Sequence, residues 1–298
     1  MMDATLVLVH GFFSNERTWD RFAEVITADG ELAGVTIKRF SYATPVLRLG
    51  PLRRIPDLAD MASSFREWLR GEPQDRPVVI VSHSMGGLVA QRFLAERLRA
   101  GRLDELSNIV GVVMFACPNQ GSDLLRALRH SMRWWSHPQE RQLRPLNEEV
   151  TAAQQVVIER IVHCASARVP GVPIPIWAIA GESDGVVRSG SATFVFDDER
   201  RFTLPGDHST VIRPDSTVHR SHLTLKRALA EALRPFAARD TTPTSLSPAP
   251  PPERTSGPIP RIAQSIADST IGSDAVQISG VRRNVHLNPR PTGTPTDR

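Results

Sequence analysis

Three short runs hold the side chains best able to do covalent chemistry: Ser84 in Ser82-His83-Ser84-Met85-Gly86-Gly87, Asp184 in Gly181-Glu182-Ser183-Asp184-Gly185, and His208 in Pro205-Gly206-Asp207-His208-Ser209. A serine hydroxyl is a poor nucleophile until an imidazole takes its proton, and the resulting imidazolium needs a carboxylate to orient and stabilise it. Serine, acid and histidine in this chain order suit acyl transfer through a covalent serine intermediate. Glu182 is the second acid of its loop and the runner-up to Asp184.

The surroundings of Ser84 fit that use. The apolar run Pro77-Val78-Val79-Ile80-Val81 precedes it and the helical stretch Leu88 to Arg99 follows. A strand, a turn of small residues and a helix push a serine onto a strained, exposed corner with the next backbone N–H facing the same space. The familiar G-x-S-x-G spacing has Ser82 in place of its first glycine, so the position still carries a small side chain. Glycine and serine are also common in ordinary tight connections, so the turn alone does not establish a nucleophile.

A tetrahedral oxyanion needs two N–H donors, one after the nucleophile and one from a loop after an early strand. Thr5-Leu6-Val7-Leu8-Val9 runs into His10-Gly11-Phe12-Phe13, which makes Met85 and Phe12 the expected oxyanion donors. His10 is expected to brace that loop. His83 is expected to point away from Ser84, and His219 and His222 lie at the start of the last helix. His130, His137 and His163 match no compact zinc spacing, so neither a metal nor a cofactor is expected.

These residues need elements to hold them. Apolar runs place strands near residues 5–9, 35–40, 78–82, 109–115 and 174–180, with a short one at 201–204. Segments 18–28, 55–70, 86–100 and 221–236 carry apolar residues at helical spacing. The alternation predicts an α/β fold with a mostly parallel sheet flanked by helices. It is suspended over residues 118–173, where Asp123 to Trp135 and Asn147 to Ala167 read as inserted helices, a helical cap at the carboxyl end of the sheet. Leu124, Leu125, Leu128, Met132 and Trp135 form one stripe there. It packs on the domain or, given adjacent Trp134 and Trp135, faces a substrate or membrane surface.

The chain has 298 residues, 40% of them hydrophobic, and a formal charge of only +4 despite a pI near 9.8. Its arginines are dispersed among acids, which argues against a nucleic-acid partner. The start Met1-Met2-Asp3-Ala4 has no basic leader pattern, and no stretch approaches the roughly 18 apolar residues that cross a bilayer. With two isolated cysteines, Cys117 and Cys164, the expectation is a cytoplasmic protein.

Val7-Leu8-Val9-His10-Gly11-Phe12, the Ser84 turn, Phe115-Ala116-Cys117-Pro118-Asn119-Gln120-Gly121-Ser122 and the Asp184 and His208 loops together resemble the α/β-hydrolase superfamily. Within it they are similar to lipase-like serine esterases related to the glycosylphosphatidylinositol inositol-deacylase group. The resemblance covers residues 4–238. It implies hydrolysis of a small-molecule or lipid ester through an acyl-enzyme on Ser84, with Asp184 and His208 as partners. The same intermediate can also pass its acyl group to an alcohol. Ser82, and Cys117-Pro118-Asn119-Gln120 where relatives often show Thr-Pro-His, depart from the pattern.

A domain over residues 1–238 is expected to give way to a Pro/Ser/Thr-rich linker at 239–260, a short β-prone motif at 261–288 and a disordered tail at 289–298. The alternating Val276-Gln277-Ile278-Ser279-Gly280-Val281 can stack with copies of itself or with a partner chain. It resembles bacterial amyloid-signalling motifs that connect effector enzymes to nucleotide-binding immune receptors. The other reading is a disordered arm with a few chance β-formers.

Overall fold

The computed structural model describes residues 2–11, 14–42, 57–73, 75–119, 140–164, 170–193 and 196–240. Its six strands are β1 (Ala4–Val9), β2 (Val35–Phe40), β3 (Val78–His83), β4 (Ile109–Phe115), β5 (Ile176–Gly181) and β6 (Arg201–Leu204). They form one sheet in the order β2-β1-β3-β4-β5-β6, and every pairing is parallel. The helices are α1 (Asp20–Ala28), α2 (Leu58–Arg70), α3 (Met85–Arg99), α4 (Glu140–Val157), α5 (Ser189–Thr193) and α6 (Arg220–Asp240). The sequence expectation of an α/β-hydrolase sheet flanked by helices holds.

Strands covered on both faces must be apolar throughout, and β1, β3, β4 and β5 are buried along their whole length. Alternate side chains serve opposite layers. Val7, Val9, Val78, Ile80, Val112 and Met114 pack with α2, α3 and α4. Leu6, Leu8, Val79, Val81, Val113 and Phe115 pack with α1 and α6. A register shift lies where Val78 pairs with Ile109 and Val79 with Gly111. Gly111 is required there, because a Cβ would lie 2.9 Å from the Trp177 ring and 3.2 Å from Ala232.

Local signals set the helix ends. The Asp57 carboxylate accepts the Ala59 N–H at 2.9 Å, so α2 starts at Leu58 and not at 55 as its apolar spacing suggests. The last helix continues to Asp240, beyond the domain boundary expected at 238.

The region expected to form a cap divides in two. Its later part, α4 with the π-helical turn Ile158–Val162, is the crossover from β4 to β5. Val150, Ala153, Val157 and Ile161 lie in the core shared with α3. Arg99 reaches the Ala152 carbonyl at 2.7 Å, and Arg160 donates to the Leu98 carbonyl, fixing this segment to α3. Residues 150–162 are thus a layer of the domain and not a lid, since an amphipathic helix buries its stripe where the sheet offers an apolar face. The earlier part, Asp123 to Trp135, lies outside the described residues, as do the segments 241–260, 261–288 and 289–298. Among the described residues, no helix is long and apolar enough to cross a membrane.

Candidate active site

The chain runs outward from β1 to β2, then back across β1 to β3 and onward. The direction of winding therefore reverses between β1 and β3, and in open α/β sheets the crevice beyond the carboxyl ends at such a point is where ligands bind. Ser84 directly follows β3 at this place, while His10 and Gly11 follow β1.

Ser84 has φ 52° and ψ −126°, a conformation that side chains rarely adopt. Its N–H donates to the Phe115 carbonyl at 2.9 Å, and its own carbonyl accepts the Gly87 N–H at 3.0 Å. The corner is thus clamped between β4 and the first turn of α3. Glycine is needed next: a Cβ on Gly86 would stand 2.5 Å from the His10 carbonyl oxygen and 2.6 Å from that of Val9. One on Gly87 would stand 2.5 Å from the Cys117 sulfur. Ser82 is fully buried, and its hydroxyl donates to the Val113 carbonyl at 3.3 Å. The departure from glycine at that position is therefore accommodated by a partner on β4.

The Ser84 Oγ lies 3.0 Å from His208 Nε2, and His208 Nδ1 lies 2.9 Å from Asp184 Oδ2. The other Asp184 oxygen accepts the Val186 and Val187 N–H groups, both at 2.8 Å. A carboxylate so held has no donor to give, so the Nδ1 proton belongs to His208 and its Nε2 is left to accept from Ser84. Two glycines let the loops meet. Gly181 lies against the His208 loop, where a Cβ would come 2.7 Å from the Gly206 carbonyl oxygen, and Gly206 has φ 125°. Asp207 then folds the loop on itself, accepting the Ser209 and Thr210 N–H groups at 2.8 Å; those backbone donors hold its carboxyl below the usual range.

Residues 6–277 match the profile of the Alpha/beta hydrolase family. The chain belongs to that family. A further match, 41% identical over 51 residues, is to the protein SERAC1 of Bos taurus, and it spans 17% of this chain but only 8% of SERAC1. Among solved structures, this α/β hydrolase resembles phospholipase PlaB from Legionella pneumophila, at 14% identity and a TM-score of 0.55 over 79% of this chain and 61% of PlaB. It also resembles the NocB thioesterase domain, at 18% identity and a TM-score of 0.41 over 78% and 94% of the two chains.

Around the crevice of this α/β hydrolase, Met85 supplies the first amide of α3, where the helix itself offers no acceptor. Phe12, the other expected oxyanion donor, lies outside the described residues. Its neighbour Gly11 lies close to Ser84, since a Cβ there would be 3.0 Å from that of Ser84. His10 braces the loop as expected. Its ring stacks on Tyr42 at 4.3 Å, its Nδ1–H donates to the Gly11 carbonyl at 2.9 Å, and its Nε2 accepts the Tyr42 N–H at 3.4 Å. Burial lowers its pKa, in keeping with a neutral ring.

Glu182 is exposed and its backbone N–H is bound to the Leu204 carbonyl, so the runner-up acid is not part of the constellation. His222 is buried against Asp29 at 2.8 Å, tying α6 to the loop after α1, and His219 accepts the Ser221 N–H at 3.2 Å. Asn119 bridges Gln91 and the Ala192 carbonyl at 2.8 and 2.6 Å, which makes this departure from the family pattern a buried strut between α3 and α5. A cavity of about 590 Å³ is lined by Ile109, Ile176, Phe196 and Phe236. It lies where β4 and β5 begin, at the opposite edge of the sheet from Ser84. Among the described residues, no three His, Cys, Asp or Glu side chains converge as metal ligands.

His83 was missed as a functional candidate. Its Nε2 lies 2.7 Å from the His208 carbonyl oxygen. Only the pairing of distant loops reveals that contact.

Proposed function

We propose that this chain is a serine hydrolase of carboxylic esters, with lipid-like esters as the substrate class. The observation that carries the reading is the unbroken relay from Ser84 Oγ through His208 to Asp184, set on a strained corner at the crevice. His208 Nε2 takes the Ser84 proton as Oγ attacks the ester carbonyl carbon. The oxygen of the tetrahedral intermediate takes up the negative charge beside the Met85 N–H, with the Phe12 N–H as the expected second donor. Collapse breaks the bond to the leaving alcohol, which takes the proton from His208. Water then adds to the acyl-enzyme by the same route, releasing the acid and restoring Ser84. An acceptor alcohol in place of water makes the same intermediate an acyl transferase.

The lipid-like class rests on the sequence resemblance to lipase-like esterases. The test is turnover of p-nitrophenyl esters of graded chain length, with fluorophosphonate labelling, by the wild type and Ser84→Ala. Loss of both in Ser84→Ala with an unchanged circular dichroism spectrum is expected. Labelling that persists at another serine refutes the assignment. Comparing the lipids of cells expressing each form identifies the acyl and head groups.

A second reading concerns Ile262 to Leu287, whose alternating Val276 to Val281 core favours stacking with itself or with a nucleotide-binding receptor. It makes the chain an effector or assembly component of a bacterial immune signalling system, controlled by that motif, with a hydrolase domain that is either a phospholipase or inactive. A peptide of this span that stays monomeric and does not bind thioflavin T removes its support.

A further inference from the structure

We propose that His83 is a positioning residue for His208: by donating its Nε2–H to the His208 carbonyl it holds the base at working distance from Ser84. The inference rests on the reading of Ser84, Asp184 and His208 as a catalytic set.

The His208 side chain is fixed at both nitrogens, but a side chain is placed only as well as its own backbone. The turn that carries it is closed mostly on itself, through the Asp207 carboxylate and the Val211 N–H to Asp207 carbonyl bond at 3.2 Å. Outside contacts anchor the turn's approach: Glu182 N–H to the Leu204 carbonyl at 2.8 Å, and Ser183 N–H to that of Gly206 at 3.0 Å. The contact at the base's own residue comes from His83, at 2.7 Å. His83 ends β3 and directly precedes Ser84, so one strand end carries both the nucleophile and the strut that holds its base. A small shift of that end moves both together.

The strut is itself immobilised. His83 is 6% exposed, its ring meets the Trp19 indole edge-on at 6.5 Å, and it packs against the His208 ring at 5.0 Å. Gly11 closes the other side, where a Cβ would lie 3.3 Å from Nδ1. Because the acceptor is a carbonyl, Nε2 must carry the proton. Burial first, and the neighbouring His208 second, lower the pKa of His83 to about 3, so the ring stays neutral and donates from Nε2 across the working range. With Nε2 donating to the His208 carbonyl, that nitrogen has no lone pair to take the Ser84 proton.

Two substitutions separate this role from simple packing. His83→Phe keeps a ring and loses the donor, while His83→Gln loses the ring and keeps an amide N–H at nearly the reach of Nε2. Ester turnover and the rate of fluorophosphonate labelling at Ser84 are measured for both and for the wild type, with circular dichroism on each. His83→Phe is expected to lose about 10- to 100-fold in kcat and labelling rate with KM within about twofold, the scale of a misplaced catalytic group. His83→Gln is expected to recover most of that loss. A packing role predicts the reverse ranking, and that ranking, or an unimpaired His83→Phe, overturns the proposal. Should His83→Phe not fold, His83→Asn, whose shorter amide falls short of the carbonyl, is expected to show the same loss, and wild-type rates in it overturn the proposal. Wild-type chain that is not labelled at Ser84 overturns the hydrolase reading itself, and this inference with it.

Discussion

Asp184 receives the Nδ1–H of His208 at 2.9 Å with one oxygen and the N–H groups of Val186 and Val187 at 2.8 Å with the other, while its side chain is 1% exposed. The two backbone donors fix the carboxylate independently of the imidazole it faces. This arrangement also separates Asp184 from Glu182, two positions away on the same loop but turned to solvent.

The distinction gives a paired expectation. Asp184→Asn replaces an acceptor-only group with an amide that can present N–H to Nδ1 and so favour the wrong tautomer. A fall in kcat of about 10⁴-fold with the fold retained is expected. Glu182→Gln should stay within about twofold of wild type. Ester turnover alongside circular dichroism checks both, and equal losses would reassign the acid.

The backbone at Ser84 has a cost that substitution can expose. With φ at 52°, alanine keeps the strain and glycine relieves it. Ser84→Gly should be more stable than Ser84→Ala by about 1 kcal/mol, with both inactive. Urea unfolding of the two variants measures the difference, and equal midpoints would show that the corner is not strained.

Gly86 allows α3 to meet the end of β1. A methyl group there meets the carbonyl oxygens of His10 and Val9 at 2.5 and 2.6 Å, backbone atoms at the end of β1 that cannot move aside cheaply. Gly86→Ala should lose about 1 to 3 kcal/mol of stability and displace Met85 from the crevice, lowering kcat. Thermal unfolding and steady-state kinetics report the two effects. A variant with wild-type stability and rate would show that the close approach is not required.

His83 also predicts a dependence on pH. The unfolded chain takes up a proton at about 6.5, and the folded chain, through burial, only near 3. Between those values the unfolded state holds more protons, so this contribution to stability is complete above about pH 6.5 and is lost as pH falls toward 3. The slope is at most about 1.4 kcal/mol per pH unit. His83→Gln does not titrate and should lose less stability than wild type between pH 6.5 and pH 4.5 in urea unfolding. His10, lowered in the same direction, remains in both chains and cancels in the comparison. Parallel curves would contradict a neutral, buried His83.

Much of this was legible in the sequence because it depended on local pattern. The four buried strands β1, β3, β4 and β5 follow apolar runs whose length matches a strand, and Ser84 follows from a turn of small residues between a strand and a helix. The insertion after β4 was harder to place. Periodicity shows that Val150, Ala153, Val157 and Ile161 share a face, but not that the face meets α3 and not the crevice. Asn119 gave no local cue either, since its partners are on α3 and α5.

By itself, the sequence determined the alternation of strands and helices, the strained corner at Ser84, and the short set of acids and histidines able to serve it. Those depend on side-chain size, apolar spacing and chain order, all of which act between near neighbours. Tertiary structure alone decided which acid faces His208, why Gly86 and Gly181 must lack a side chain, and what His83 holds. Each of those is a contact between segments far apart in the chain, and it exists only once a parallel sheet has brought the ends of β1, β3 and β5 to one edge.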